Sequence, residues 1–475
     1  MPSVHPSVSE AGQGRLEVPA PDSGEVDDMT MADRAIAATR IACGAGFSGD
    51  RFEPAADLLD RGDLDYLVLE CLAERTMAAG TLRHLSDPLG GYDPFLERRL
   101  APLLPAVAER GTKVVTNLGA ADPAAAGRAA ARLARRLELD LAFAVVTGDE
   151  VTDALDPRLP AQEDGRPLAD HGRLISAHAY LGADAVRAAL DAGADVVITG
   201  RVADPSLFVG CLAHHRGWDL GDADQVAHGT LVGHLLECAG QVTGGYFADP
   251  PLSEIPGLAH LGFPVAEVTD TDAVITKLPG TGGRVDAATV AEQLGYEIGD
   301  PARYLTPDVH ADFSAVTVTD LGGDRVRVSG SRGRLAPADL KVSVGFQGGF
   351  RCEAEIDYAG TGARRRAELA AAVVRERTQG LFRHLHDELL GVDPIAQHDG
   401  TTLPGSGRCR LSLVAQADDA ATAARLGEEV TALYTNGPAG GGGVRVTTEP
   451  VLGVLSSTVS RKAAAASIDL LRSGA

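Results

Sequence analysis

The chain has 475 residues, with 43 Lys and Arg against 66 Asp and Glu and a formal net charge of −23. At about 150 residues per domain this length allows two or three domains. So acidic a chain is not drawn to a phosphate backbone or an anionic lipid surface, which excludes nucleic-acid and membrane-surface partners.

Hydrophobic residues make up 44% of the chain, yet no stretch approaches the roughly 20 apolar residues of a membrane helix. Cys43, Cys71, Cys211, Cys238, Cys352 and Cys409 are scattered without a C-x-x-C pair, so they read as reduced core thiols of a cytoplasmic protein, with no metal site. The only lysines are Lys113, Lys277, Lys341 and Lys462. Residues 1–33 are rich in Pro, Ser, Gly, Asp and Glu, and read as a disordered acidic tail rather than a secretory signal.

From residue 34 short apolar runs alternate with helical segments. Strands are expected at 40–43, 65–69, 112–116, 141–147 and 195–199, each Val, Ile or Leu-rich as strands covered on both faces should be. Helices are expected between them at 54–61, 94–110, 123–137 and 183–192; Asp122 is placed to cap the third and Pro123 to open it. This alternation predicts an α/β domain over 34–255, with an open, mostly parallel sheet and flanking helices. A further helix is expected at 225–239.

Beyond residue 255 the rhythm changes to a second, α+β unit with a mixed sheet, completing the site. Strands are expected at 266–277, 314–319, 325–329, 341–347 and 351–358, with Gly322-Gly323-Asp324 as a hairpin turn. A helix at 287–295 is capped by Asp286. A long helix over 364–390, a strand at 408–415, a helix at 418–433 and a strand-rich segment at 444–457 complete the chain.

In a parallel α/β sheet, ligands bind beyond the carboxyl ends of the strands. There the sequence places Gly46, Glu70, Asn117, Asp149 and, after the fifth strand, Arg201 and Asp204. Gly44-x-Gly46-x-x-Gly49 with Glu70 about 20 residues on matches the dinucleotide fingerprint, although Asp50-Arg51-Phe52-Glu53 separates the glycines from the helix that should face a pyrophosphate. A second glycine loop runs from Lys277 through Gly280, Gly282 and Gly283 to Arg284, and suits a phosphate or carboxylate. His234 and Glu237, three apart, share a helix face and suit acid–base work better than metal ligation. The polar stretch from Tyr296-Glu297 to Asp312 is long for a plain connector.

Taken in order, several segments resemble the acyclic terpene utilisation family, AtuA. They are Gly44-Ala45-Gly46-Phe47-Ser48-Gly49-Asp50, Leu72-Ala73-Glu74-Arg75-Thr76-Met77, Thr116-Asn117-Leu118-Gly119 and Ala179-Tyr180-Leu181-Gly182-Ala183. To these are added GADVVITGRVADPS at 193–206, Gly233-His234-Leu235-Leu236-Glu237-Cys238, KLPGTGG at 277–283, Tyr296-Glu297-Ile298-Gly299-Asp300-Pro301 with Tyr304, and Pro307-Asp308-Val309. The resemblance covers about 38–460. One departure is His178, where the family usually has Asn.

The resemblance implies metabolism of branched or isoprenoid acids, handled as a CoA thioester or related carboxylic acid, with that thioester as substrate rather than resident cofactor. It also implies a small ferredoxin-like domain, absent from this chain, supplied by a separate small protein, and a homo-oligomer is expected. Three readings stay open. In the first, a lyase or hydratase uses Glu237 and His234 to move protons, assisted by Asp149 or Asp204. Arg201 and Lys277 then hold anionic charge, with Gly282, Gly283, Asn117, Gly46 and Glu70 around the substrate. The second is an NAD(P)-dependent oxidoreductase using the 44–49 loop. The third is a non-catalytic subunit of an acyl-CoA processing complex.

Overall fold

Val, Ile and Leu runs bounded by glycine and polar turns become the centre of the protein. The computed structural model describes residues 38–87, 90–391 and 406–474; the acidic tail expected at 1–33 lies outside the described residues. Strands β1 (Thr39–Ala45), β2 (Tyr66–Leu69), β3 (Lys113–Thr116) and β4 (Ala142–Thr147) are joined by β6 (Val196–Thr199), while β5 (Arg173–Ala179) goes elsewhere. The five lie parallel in the order β1-β2-β3-β6-β4, with Cys43 opposite Val68, Val68 opposite Val115 and Val145 opposite Ile198. These side chains have almost no exposure, as strands covered on both faces require.

Antiparallel strands widen this sheet on both sides. Next to β1 come β7 (Pro264–Val268), β8 (Asp272–Lys277) and the hairpin of β11 (Thr317–Asp320) and β12 (Val326–Ser329). The hairpin turns at Gly322, Gly323 and Asp324, all with φ near +60° to +75°, as that short turn demands. At the opposite edge β18 (Ser467–Arg472) pairs with β4. Strands from both sides of residue 255 therefore share one ten-stranded sheet. Strands β9 (Tyr304–Leu305), β10 (His310–Asp312) and β13 (Arg332–Arg334) form a small separate sheet.

The remaining sheet is built on β14 (Asp339–Thr361), a single strand across both segments expected at 341–347 and 351–358. It pairs with β16 (Ser406–Ala417) and β17 (Gly441–Ser460), and β15 (His384–Leu390) pairs with β16. Helices Ala363–Arg377 and Ala420–Asn436 pack on this sheet through Ala367, Ala370, Val374, Leu426 and Val430. The amino-terminal half of β14 also pairs with β5, Ser343 lying opposite His178, so this sheet is tied directly to the α/β layer.

Helix starts follow the capping residues closely. Asp122 Oδ1 accepts the Ala125 N–H at 2.9 Å, and Asp286 forms a reciprocal capping box with Thr289. Three expectations fail. The helix expected over 364–390 ends at Arg377; Gly380, with φ +77°, turns the chain, and residues 384–390 become β15. The segment 94–110 is two helices, Leu96–Leu100 and Leu104–Arg110. The run 266–277 divides at a turn where Thr269 Oγ1 donates to the Asp272 carbonyl at 3.0 Å.

Candidate functional site

The carboxyl ends of the parallel strands carry an interlocked set of buried polar groups. Asn117, after β3, donates Nδ2–H to Glu70 Oε1 at 2.8 Å, and its own Oδ1 accepts the Cys71 N–H at 2.7 Å. Glu70 Oε1 also accepts the Leu72 N–H at 2.9 Å. This pair shapes the turn after β2 so that the Leu72 carbonyl meets the Arg201 guanidinium. Arg201 is 1% exposed. It donates to Val202 O from Nη2 at 2.8 Å, pairs with Asp204, and lies 4.5 Å from the Tyr180 ring centre. Asp149 Oδ2 accepts the Arg201 N–H at 2.9 Å and faces His178 Nδ1 at the same distance. Arg201 thus spends its fork on protein oxygens and organises the site.

Beside this network opens a cavity of about 600 Å³, lined among others by Glu74, Tyr180, Asp204, His234, Glu237 and Tyr304. Asp204 opens helix Asp204–Arg216, and His234 and Glu237 sit at the end of helix Ala223–Leu236. His234 Nε2 faces the Leu294 carbonyl at 3.3 Å, and a carbonyl can only accept, so Nε2 carries a proton. Nδ1 lies 3.1 Å from Glu237 Oε1, leaving one proton for that pair to share. Glu237 Oε2 is buried with no hydrogen-bond partner. The His234 ring is fixed by Tyr304 and Phe313, with centroids at 5.1 and 6.1 Å.

Burial raises the pKa of Glu237, with His234 opposing the rise; burial also raises Glu70, opposed chiefly by Arg201. Tyr304 is pushed up by burial and keeps its proton. Glu74 behaves oppositely. Burial works against its charge, but the 2.5 Å hydrogen bond from the Tyr180 hydroxyl and the Lys341 cation at 3.3 Å outweigh it and hold the pKa at about 2. One cavity wall therefore carries an anion held charged by its partners and the other a carboxyl whose burial disfavours its charge.

The remaining expected residues fall elsewhere. Gly46 abuts the same helix end: a Cβ there would lie 2.6 Å from the Cys238 carbonyl carbon, and its N–H is taken by Asp50 Oδ2 at 2.9 Å. The carbonyls of Ser48 and Asp50 both accept from Arg99 Nη2 at 2.8 Å. That loop turns its carbonyls to a cation of its own and commits the Gly46 amide to Asp50, which counts against the dinucleotide reading. Lys277, Gly282 and Gly283 share this end of the sheet, since Lys277 pairs with Pro264 and Val265 with Ala42, but none of them lines the large cavity. Lys277 Nζ is bound 3.0 Å from both Thr281 O and Asp324.

Sequence reasoning did not assign roles to Glu74, Tyr180, Arg303, Tyr304 and Lys341, all of which line the cavity. Their signals were the Leu72–Met77 string, the Ala-Tyr-Leu-Gly-Ala string, the polar stretch before Asp312 and the scarcity of lysine.

Asp308 is a tie of another kind. Its carboxylate accepts the Ala183 N–H at 2.8 Å and the Ser206 hydroxyl, joining two helix starts. Burial lifts its pKa to about 6, above the 3.8 of a free Asp. The folded protein therefore holds this proton more tightly than the unfolded chain, so stability falls as pH rises from about 4 to about 6 and is then level. Asp308→Asn keeps an acceptor for Ala183 and gives a donor to Ser206. With allowance for partial exposure, the variant is expected to be more stable than the parent by about 1–2 kcal/mol at pH 8 and no more stable at pH 4. Urea unfolding at the two pH values measures this; a gain at pH 4 that vanishes at pH 8 contradicts it.

Fold and site define an α/β protein with a buried carboxyl–imidazole pair in a cavity at the carboxyl end of its parallel strands. The family model for the acyclic terpene utilisation family protein AtuA matches residues 39–470. The chain belongs to the AtuA family. Comparisons with curated proteins and with solved structures give no match. Among the described residues no helix is long and apolar enough to cross a membrane.

Proposed function

We propose that the protein is a lyase or hydratase of branched or isoprenoid acid metabolism, acting on an acyl-CoA or the related carboxylic acid, with Glu237 as the proton-transferring group. The observation that carries this reading is the Glu237 carboxyl: it lines the cavity, one oxygen is held by His234, and the other, Oε2, has no partner. A raised pKa suits a group that must both take and give a proton near neutral pH. Tyr304 supplies a hydroxyl group, and Ala203, Pro205, Leu305 and Pro307 supply apolar lining for a branched chain. In hydration, water adds across a carbon–carbon double bond. The oxygen goes to Cβ, one proton goes to Cα, and the enolate charge that precedes protonation is met by donors at the cavity wall.

The test is incubation of the protein with a branched α,β-unsaturated acyl-CoA, and separately its free acid, in deuterated water. Deuterium at Cα or gain of water, read by mass spectrometry, is the expected result. Absence of both products with thioester and acid alike overturns the reading.

A further inference from the structure

A second cavity, of about 170 Å³, shares no lining residue with the first. Arg51 and Arg61, which bracket helix Glu53–Arg61, form one wall, and His260, Gly262, Gly280 and Thr281 contribute to the other. Each arginine reaches across: Arg51 Nη1 donates to Leu261 O at 3.2 Å, and Arg61 Nη2 to Pro279 O at 2.6 Å. The glycine wall is rigid. The Gly282 N–H binds His260 O at 2.8 Å, the Gly262 N–H binds Gly282 O at 3.0 Å, and Thr281 Oγ1 binds Leu278 O at 2.7 Å. A Cβ on Gly262 would fall 2.0 Å from Thr281 Oγ1, and one on Gly282 2.0 Å from Gly257 O. Only glycine fits this close approach. Lys277 pins the same loop from behind through Thr281 O.

We propose that this cavity binds a phosphoryl group. A guanidinium has five N–H donors, and the contacts above use one from each arginine, leaving donors for an oxyanion. Arg61 has no ion-pair partner among the described residues, and the acid paired with Arg51, Glu53, lies 3.8 Å away. Asp57 also lines the cavity but pairs with neither arginine. In a chain of net charge −23, two arginines lining one small cavity, Arg61 without an ion-pair partner among the described residues, are a local exception. A carboxylate would occupy one guanidinium fork, whereas a phosphoryl group has oxygens for both. The cavity has no room for an acyl chain, so it holds a head group.

The phosphoryl site stands independently of the proton-transfer reading; only its assignment to the phosphorylated handle of a CoA thioester rests on that reading. The experiment is titration calorimetry and thermal melting of the full chain with inorganic phosphate and with CoA, against chloride at equal ionic strength. Stabilisation by phosphate is expected, weakened at least about tenfold in affinity in Arg51→Gln/Arg61→Gln and retained in Glu237→Gln. Either single variant reads the same if the double variant does not fold. CoA binding tighter than phosphate, and equally sensitive to the two arginines, identifies the thioester handle as the source; CoA no tighter than phosphate identifies the free anion. No response to either ligand, or a response that ignores both arginines, overturns the proposal. Because no turnover is read, loss of this site and failure of the proton-transfer reading are distinguishable.

Discussion

Arg201→Ala is expected to lower the unfolding free energy by about 3–5 kcal/mol, the range for breaking a buried charge pair by removing one partner. The guanidinium is 1% exposed and joins the Leu72 and Val202 carbonyls, Asp204 and the Tyr180 ring. Truncation strands two carbonyls and opens a void that neighbouring backbone cannot fill. The Coulomb gain is the smaller part, since taking the ion from water costs several kcal/mol that the contacts offset. Geometry therefore decides the outcome, and Arg201→Lys, which keeps the charge and loses the fork, should still cost about 2 kcal/mol or more. Arg303→Ala, at an exposed position on the cavity rim, is the control and should change stability by less than about 0.5 kcal/mol. Urea titration of the three variants checks this. An Arg201→Ala loss no larger than that of the control would show that the network does not hold the strand ends together.

Glu237→Gln is expected to reduce turnover by about 10²–10⁴-fold, the usual worth of a positioned acid–base group, with a much smaller change in KM. The parent rate should depend on pH with an apparent pKa above the ordinary carboxylate range, because burial disfavours the charged form. That pKa belongs to the Glu237–His234 pair, which shares one proton across 3.1 Å. The limb should vanish in Glu237→Gln, and removing His234 as well should add little, since the two act as a unit. The stability readout runs the other way. A raised carboxyl pKa in the folded state means that ionisation costs stability as pH rises, so Glu237→Gln should melt no lower than the parent above neutral pH. A variant that keeps its turnover and its pH limb would remove Glu237 from the chemistry.

How much of this was legible in the chain differs from element to element. The parallel strands were, because Val, Ile and Leu runs such as 195–199 are buried on both faces and leave no other reading. Strand β5 was not: Arg173–Ala179 joins the C-terminal sheet through residues some 165 positions later, a pairing no local pattern records. The helix expected through residue 390 failed because Leu385 and Leu389 satisfy helical spacing, while Gly380 and the free edge of β16 make a strand the better burial. The dinucleotide loop misled in the same manner, since glycine spacing cannot tell an amide nest from a turn that wraps Arg99.

The sequence by itself determined the α/β class, the strand ends as the place of polar groups, the His234–Glu237 pairing and the family to which the chain belongs. Each depends on neighbours within a few residues or on a string read in order. The tertiary structure alone decided that the Arg201 fork is bound to protein oxygens, that Lys341 and Tyr304 line the large cavity, and that Leu278, Gly280 and Thr281 of the glycine loop line a separate one. Those outcomes follow from which long-range hydrogen bonds and ion pairs satisfy each buried charge, and a buried charge settles its role by its partners, not by its place in the chain.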